Sequence, residues 1–216
     1  MNDAGIVATL LNRTPPRLVS TSPSVCSRGL IVPQVLSCRS VPRAVQAAAS
    51  LDVSSFNPFC LLVANGTSVA TVTSDGRTMT VQFIDPSTPC MLTSSSLGDA
   101  LVTAPRTALF EDLVLTPFRA GDISGAREGQ TRFHAHSWPE RRALSVVMSR
   151  PDACTVSRTI IDVSRSGIEL VYDSLDGRAP KVESFAARTG LATWSSTPQV
   201  VRRTRDVAPS DAHDGV

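Results

Sequence analysis

The chain has 216 residues, 42% of them hydrophobic and 19% charged, with 21 basic against 19 acidic side chains and a formal net charge of +2. A chain of this length buries roughly 70% of the surface its unfolded state exposes, so one sizeable core is expected. The near-balanced charge supplies no broad attraction for nucleic acid, no run approaches the roughly 20 apolar residues of a membrane helix, and no basic start leads into an unbroken apolar stretch; a cytoplasmic location is expected.

Taken in order, Asn2-Asp3-Ala4-Gly5 reads as a tight turn and Ile6 to Asn12 as an apolar strand, so a strand upstream of the turn is expected. Arg13 to Cys26, rich in Pro, Ser and Thr, has no helical or strand period and reads as a loop. Gly29 to Leu36 and Val41 to Ala49 read as helices. Pro42 stands at the start of the second, where its missing N–H costs nothing, and the Ala47-Ala48-Ala49 run favours helix. After a turn over Asp52 to Pro58, Phe59 to Val63, Val69 to Val72 and Thr78 to Ile84 read as a three-stranded antiparallel meander with turns at Asn65-Gly66 and Asp75-Gly76.

Met91-Leu92-Thr93 is expected to add a short fourth strand. Thr103, with Pro105 behind it, reads as a helix start, and Thr116 to Gln130 as an exposed Gly-rich loop. Leu144 to Met148 and Thr155 to Val163 have strand character, and Ser166-Gly167 turns into a further strand from Ile168 to Tyr172. Residues 1–175 therefore read as one domain and 176–216 as a disordered polar tail. Helices, a meander, a helix and further antiparallel strands make an α+β order rather than a parallel α/β alternation.

Chemistry is not declared by any single motif. The five cysteines, Cys26, Cys38, Cys60, Cys90 and Cys154, contain no C-x-x-C pair, and Cys60 and Cys90 sit in apolar runs as expected core residues. His134 and His136 lie two apart, but no third ligand is near, so a helix end or loop is expected and no metal is assigned. Ser94-Ser95-Ser96 before Leu97-Gly98-Asp99 reads as a helix cap. The chain has no G-x-S-x-G elbow, P-loop or dinucleotide fingerprint, and no cofactor is assigned.

An ordered series of blocks nevertheless resembles one family. Asn2 to Gly5 through Leu10-Leu11-Asn12, Ser27-Arg28-Gly29-Leu30-Ile31-Val32, Phe56 to Ala64, Met91 to Ser94 with Thr103-Ala104-Pro105-Arg106, and Thr155 to Val163 are similar to the transport and Golgi organisation protein 2 family, the NRDE proteins. The resemblance implies an N-terminal nucleophile hydrolase-like fold: a four-layer αββα sandwich of antiparallel sheets covered by helices, incomplete here. In such proteins an N-terminal Cys attacks an amide carbonyl with its own α-amino group as base. Neither that Cys nor the Asn-Arg-Asp-Glu motif stands in this chain, so an N-terminally truncated reading frame is expected and no catalytic residue is assigned.

Asn12 and the Arg28-Gly29 pair match the family pattern, whereas Thr93-Ser94 replaces its Ser-Asn and Arg158 stands only near its late arginine. Asn12, Arg28, Thr93, Ser94 and Arg158 are thus the candidate pocket residues. The resemblance implies a hydrolase acting on non-peptide amide bonds, inactive as this chain stands. The alternative it implies is a binding or trafficking protein for haem, lipid or acyl-CoA. Either way the expected partner is a small molecule, not nucleic acid.

Overall fold

The computed structural model describes residues 1–14, 26–164, 167–175, 181–186 and 202–203. A five-stranded antiparallel sheet is built from β1 (Val7–Asn12), β2 (Phe59–Ala64), β3 (Val69–Ser74) and β4 (Met79–Ile84) in sequence order, and Arg202–Arg203 pairs with β4 at its edge. The two hairpins are set by side chains that fold back on the turn. Asn65 Oδ1 accepts from the backbone of Thr67 and Ser68, and Asp75 Oδ1 from that of Arg77 and Thr78, while Gly76 adopts a φ of 88° that disfavours a Cβ. At Asp75 burial opposes ionisation, but the bonds from Thr78 and Arg77 outweigh it and hold the carboxyl below its usual range.

Strand register decides where the core lies. Phe59, Leu61 and Val63 stand opposite Ser74, Val72 and Ala70, which in turn continue to Met79 and Val81, so these residues share one face. Against that face pack α1 (Ile31–Leu36) and α2 (Val41–Ala49), whose buried residues Ile31, Val35, Val41, Ala44, Val45 and Ala48 follow helical spacing. Ser40 caps α2, its Oγ accepting from Arg43 N. On the opposite face Val7, Cys60 and Thr71 are also buried.

The turn before β1 is fastened to this layer. Asn2 Nδ2 donates to the carbonyls of Leu36 and Cys38 at 2.7 and 2.8 Å, while its Oδ1 accepts from Ala4 and Ile6. The Asn2 amide thus closes its own turn and satisfies carbonyls at the end of α1.

The middle of the chain is more helical than its sequence suggests. No strand forms at Met91 to Thr93. The next helix, α3, spans Asp99–Phe110 and begins four residues before Thr103, because Gly98 at φ 112° breaks the extended segment and Asp99 places a carboxylate in the first turn. Pro105 is inside α3, where the carbonyl it leaves without a partner belongs to Leu101 on an exposed turn. A π-helical turn (Glu111–Leu115) follows, then α4 (Thr116–Arg119) and α5 (Ile123–Ala135), so the expected loop over Thr116 to Gln130 is mostly helix. Leu144 to Met148 is not a strand; it follows a 3₁₀ turn over Pro139–Leu144 and leads into a single bridge between Ser149 and Cys154. Cys90 is exposed rather than buried, whereas Cys60 is in the core.

A second antiparallel sheet contains β5 (Ser157–Val163), β6 (Gly167–Ser174) and β7 (Lys181–Ala186) in that order. Of the turn read at Ser166-Gly167, Ser166 lies outside the described residues. Lys181–Ala186 falls in the stretch read as a tail and is placed as a strand; residues 187–201 and 204–216 lie outside the described residues. Two antiparallel sheets with several helices make the fold α+β.

Two predictions test this packing. A Cβ on Gly129 of α5 would overlap the carbonyl oxygen of Leu113 in the π-helical turn, so Gly129→Ala is expected to lower stability by about 3 kcal/mol, read as a lower urea midpoint at unchanged slope. Asp75→Ala removes the turn's acceptor and is expected to cost about 1 kcal/mol near neutral pH. Because the folded carboxyl titrates below its ordinary value, the wild-type advantage is full above that value and fades as pH falls through the folded one. Parallel denaturation curves at neutral and strongly acidic pH check the sign.

Candidate functional site

A cleft of about 490 Å³ opens where the end of β1 meets the start of β2 and the approach to α3. Asn12 lines it from the end of β1 with Arg13 and Thr14 just beyond, Arg28 from the 3₁₀ turn before α1, and Ser94 to Ser96 from the segment ahead of α3. Arg106 of α3 and Arg150 add two further guanidinium groups, and Ala143, Val146 and Met148 an apolar stretch of wall.

Each arginine has a different local account. Asp99, whose side chain is only 15% exposed, pairs with Arg13 Nε at 3.2 Å and accepts from the backbone of Ser95 and Thr14, so one carboxylate ties the end of β1 to the start of α3. Arg150 donates to Ser96 Oγ at 3.0 Å and has Asp152 at 3.5 Å from Nε, a charge contact without hydrogen-bond geometry. Arg28 Nη1 donates to Pro58 O at 2.8 Å, which employs one of its five N–H groups. Neighbouring Ser27 shapes the turn, its Oγ accepting from Gly29 N.

Arg106 is the most constrained. Its Nε donates to Leu144 O at 3.1 Å, Nη2 to Ser145 O at 2.6 Å, and Nη1 to Thr93 Oγ1 at 2.9 Å and Ser94 O at 3.4 Å. Every acceptor is neutral, and burial pulls the guanidinium's pKa below its ordinary value while leaving it charged at physiological pH. The fully buried Ser145 that it holds also accepts from Trp138 N and donates to Arg141 O, so the bracing extends into the 3₁₀ turn. Among the described residues no carboxylate makes an ion pair with Arg28 or Arg106.

Of the residues expected from sequence, Asn12, Arg28 and Ser94 meet in this cleft, and Thr93 stands behind it as an acceptor for Arg106. Arg158 lies apart: on β5 it pairs with Asp173 of β6 at 2.6 Å and reaches the Thr131 carbonyl of α5. Arg13, Arg106 and Arg150 were not among the expected residues. One signal for Arg106 was legible: it falls midway between Val102 and Phe110, four residues from each, on the face α3 buries. Polar Ser94 to Ser96 form a turn, Ser95 Oγ accepting from Leu97 N, while the cap position is Gly98. Compared with family models and with curated proteins, the chain matches none.

Elsewhere, His134 ends α5 and packs edge-on to Phe133, while His136 packs edge-on to Trp138. Burial first, and the charge of Arg158 second, draw the His134 pKa below its ordinary value. Cys90 borders an apolar groove of about 340 Å³ walled by Phe110, Val114, Phe118 and Ile123; desolvation against it pushes the thiol pKa up, the opposite of what an activated nucleophile needs.

Arg106→Gln tests the bracing. The loss of a charged donor from three backbone carbonyls is expected to cost about 2 kcal/mol, and Arg106→Lys is expected to recover little of it because an ammonium cannot span the same acceptors. Thermal denaturation of both variants beside wild type checks this order.

Proposed function

We propose that the cleft binds a small organic anion, on a scaffold of the NRDE, N-terminal nucleophile hydrolase-like type. The observation that carries the reading is the pair Arg28 and Arg106, two guanidinium groups in one concave site whose bonded partners are neutral oxygens. A partly desolvated cation without a carboxylate gains from an incoming anion, because their attraction strengthens as water is excluded.

The four-layer arrangement is part of the same proposal. Helices α1 and α2 cover one face of the first sheet, and its other face buries Val7, Cys60 and Thr71. On the second sheet α5 lies over the side that carries Arg158 and Asp162, through Thr131 and Arg127. A Cβ on Gly66, at the first meander turn, would stand 3.9 Å from Val163 at the end of β5. These contacts support an order of helices, sheet, sheet and helix.

Binding rather than cleavage is the role the lining supports. Beside an apolar part formed by Ala143, Val146 and Met148, its polar side chains donate hydrogen bonds or carry positive charge, and among the described residues that line it there is no thiol or imidazole. The amide-hydrolase reading therefore enters as a guide to ligand class: acyl compounds with a charged head. Acyl-CoA and haem, the ligands of the trafficking alternative, carry anionic groups of the required kind.

Calorimetric titration with octanoyl-CoA tests the proposal. Binding is expected that weakens as salt is raised and falls about tenfold or more in Arg28→Glu, with no hydrolysis of an octanoyl anilide. Affinity indifferent to both salt and Arg28, or turnover of the anilide, would overturn it.

A further inference from the structure

The charges of the cleft specify more than the sign of its ligand. Among the described residues four arginines line it, and two of them have a carboxylate within ion-pair distance: Arg13 has Asp99 at 3.2 Å and Arg150 has Asp152 at 3.5 Å. Arg28 and Arg106 are the two with no carboxylate within ion-pair distance among the described residues, and they enter the cleft from different elements, the 3₁₀ turn before α1 and the middle of α3. Resting on the anion-binding reading, we propose that the ligand's head group is doubly charged, a dicarboxylate or a phosphate monoester, with Arg28 as its principal fork and Arg106 as a fixed second charge.

The donor inventory separates the two arginines. Arg106 commits Nε and Nη1 to Leu144, Thr93 and Ser94 and one hydrogen of Nη2 to Ser145, so it contributes charge and at most one further N–H. Arg28 gives one hydrogen to Pro58 and retains the edge needed for a bidentate bond to a carboxylate or phosphate. Arg106 is therefore the positioning residue and Arg28 the contact residue. Asn12, Asn57 and the hydroxyls of Ser94 to Ser96 line the same space and suit the neutral oxygens of such a ligand.

Selectivity between charges is the property that singles out this arrangement. A second unit of charge adds a second pairing at the cleft, so a dianion is expected to bind about tenfold more tightly than a monoanion of the same size. Calorimetric titration of the full chain with succinate, with its monoamide succinamate, and with sn-glycerol 3-phosphate above its second pKa tests this. Succinate or glycerol phosphate binding about tenfold tighter than succinamate, with the preference reduced in Arg28→Gln, is the expected result, and the tighter of the two dianions tells carboxylate from phosphate.

Equal affinity for succinate and succinamate would overturn the dianion assignment and leave the anion-binding cleft standing. Failure of all three probes and of octanoyl-CoA would overturn the cleft reading itself. A charge preference unchanged in a folded Arg28→Gln, shown by its thermal transition, would remove Arg28 from the contact role. Arg28→Gln is the decisive variant because its single bond to Pro58 makes little demand on folding, unlike the brace at Arg106.

Discussion

The guanidinium of Arg106 holds together three parts of the chain that share no strand or helix. Half-buried on α3, it must find acceptors or lose the hydration that a cation requires, and it finds them in the Thr93–Ser94 segment and in the carbonyls of Leu144 and Ser145. Hydrogen bonds from a charged donor are worth about 1.5–3 kcal/mol each, enough to fix irregular backbone that has no ladder of its own. Ser145, once placed, orders the 3₁₀ turn through Trp138 and Arg141. The walls of the cleft thus depend on one side chain whose charge the cleft also displays.

A second constraint is steric. The π-helical turn that ends α3 brings the Leu113 carbonyl onto α5, and only a glycine at 129 admits that approach. Close contact between backbones substitutes here for an apolar stripe. The residues α5 buries are Ala126, Gly129 and Phe133, with Phe133 edge-on to Phe110 across the junction at a centroid distance of 5.5 Å. A helix buried mainly through small residues has little hydrophobic periodicity, which is why Thr116 to Gln130 reads as a loop although most of it is helical.

The contrast with the first sheet explains what a sequence discloses. Strand β2 announces itself through a continuous apolar run and β4 through apolar residues at period two, with Asn-Gly and Asp-Gly turns marking the ends of β3 between them, and α2 through its alanine-rich stripe after Ser40 and Pro42; local pattern and tertiary role coincide. At α3 they do not. Pro105 resembles a helix start because prolines favour first turns, whereas the actual boundary is set by Gly98 and Asp99. Asn12, Arg28 and Ser94 were picked out as candidate pocket residues only through resemblance to a family. Their assembly with Arg13, Arg106 and Arg150 depends on loops more than a hundred residues apart in sequence, such as Asn12 and Arg150, which no local window joins.

Charge distribution shows why composition alone points away from an anionic ligand. The net charge of the whole chain is +2, too small to suggest a polyanion. Yet among the described residues four arginines against Asp99 and Asp152 leave an excess of two positive charges at the cleft. A concentrated charge behind low-dielectric walls focuses its field outward through the opening, where a diffuse one is screened within about 8–10 Å at ordinary ionic strength. Such a field favours an anionic group that enters the cleft over one held outside it in bulk solvent.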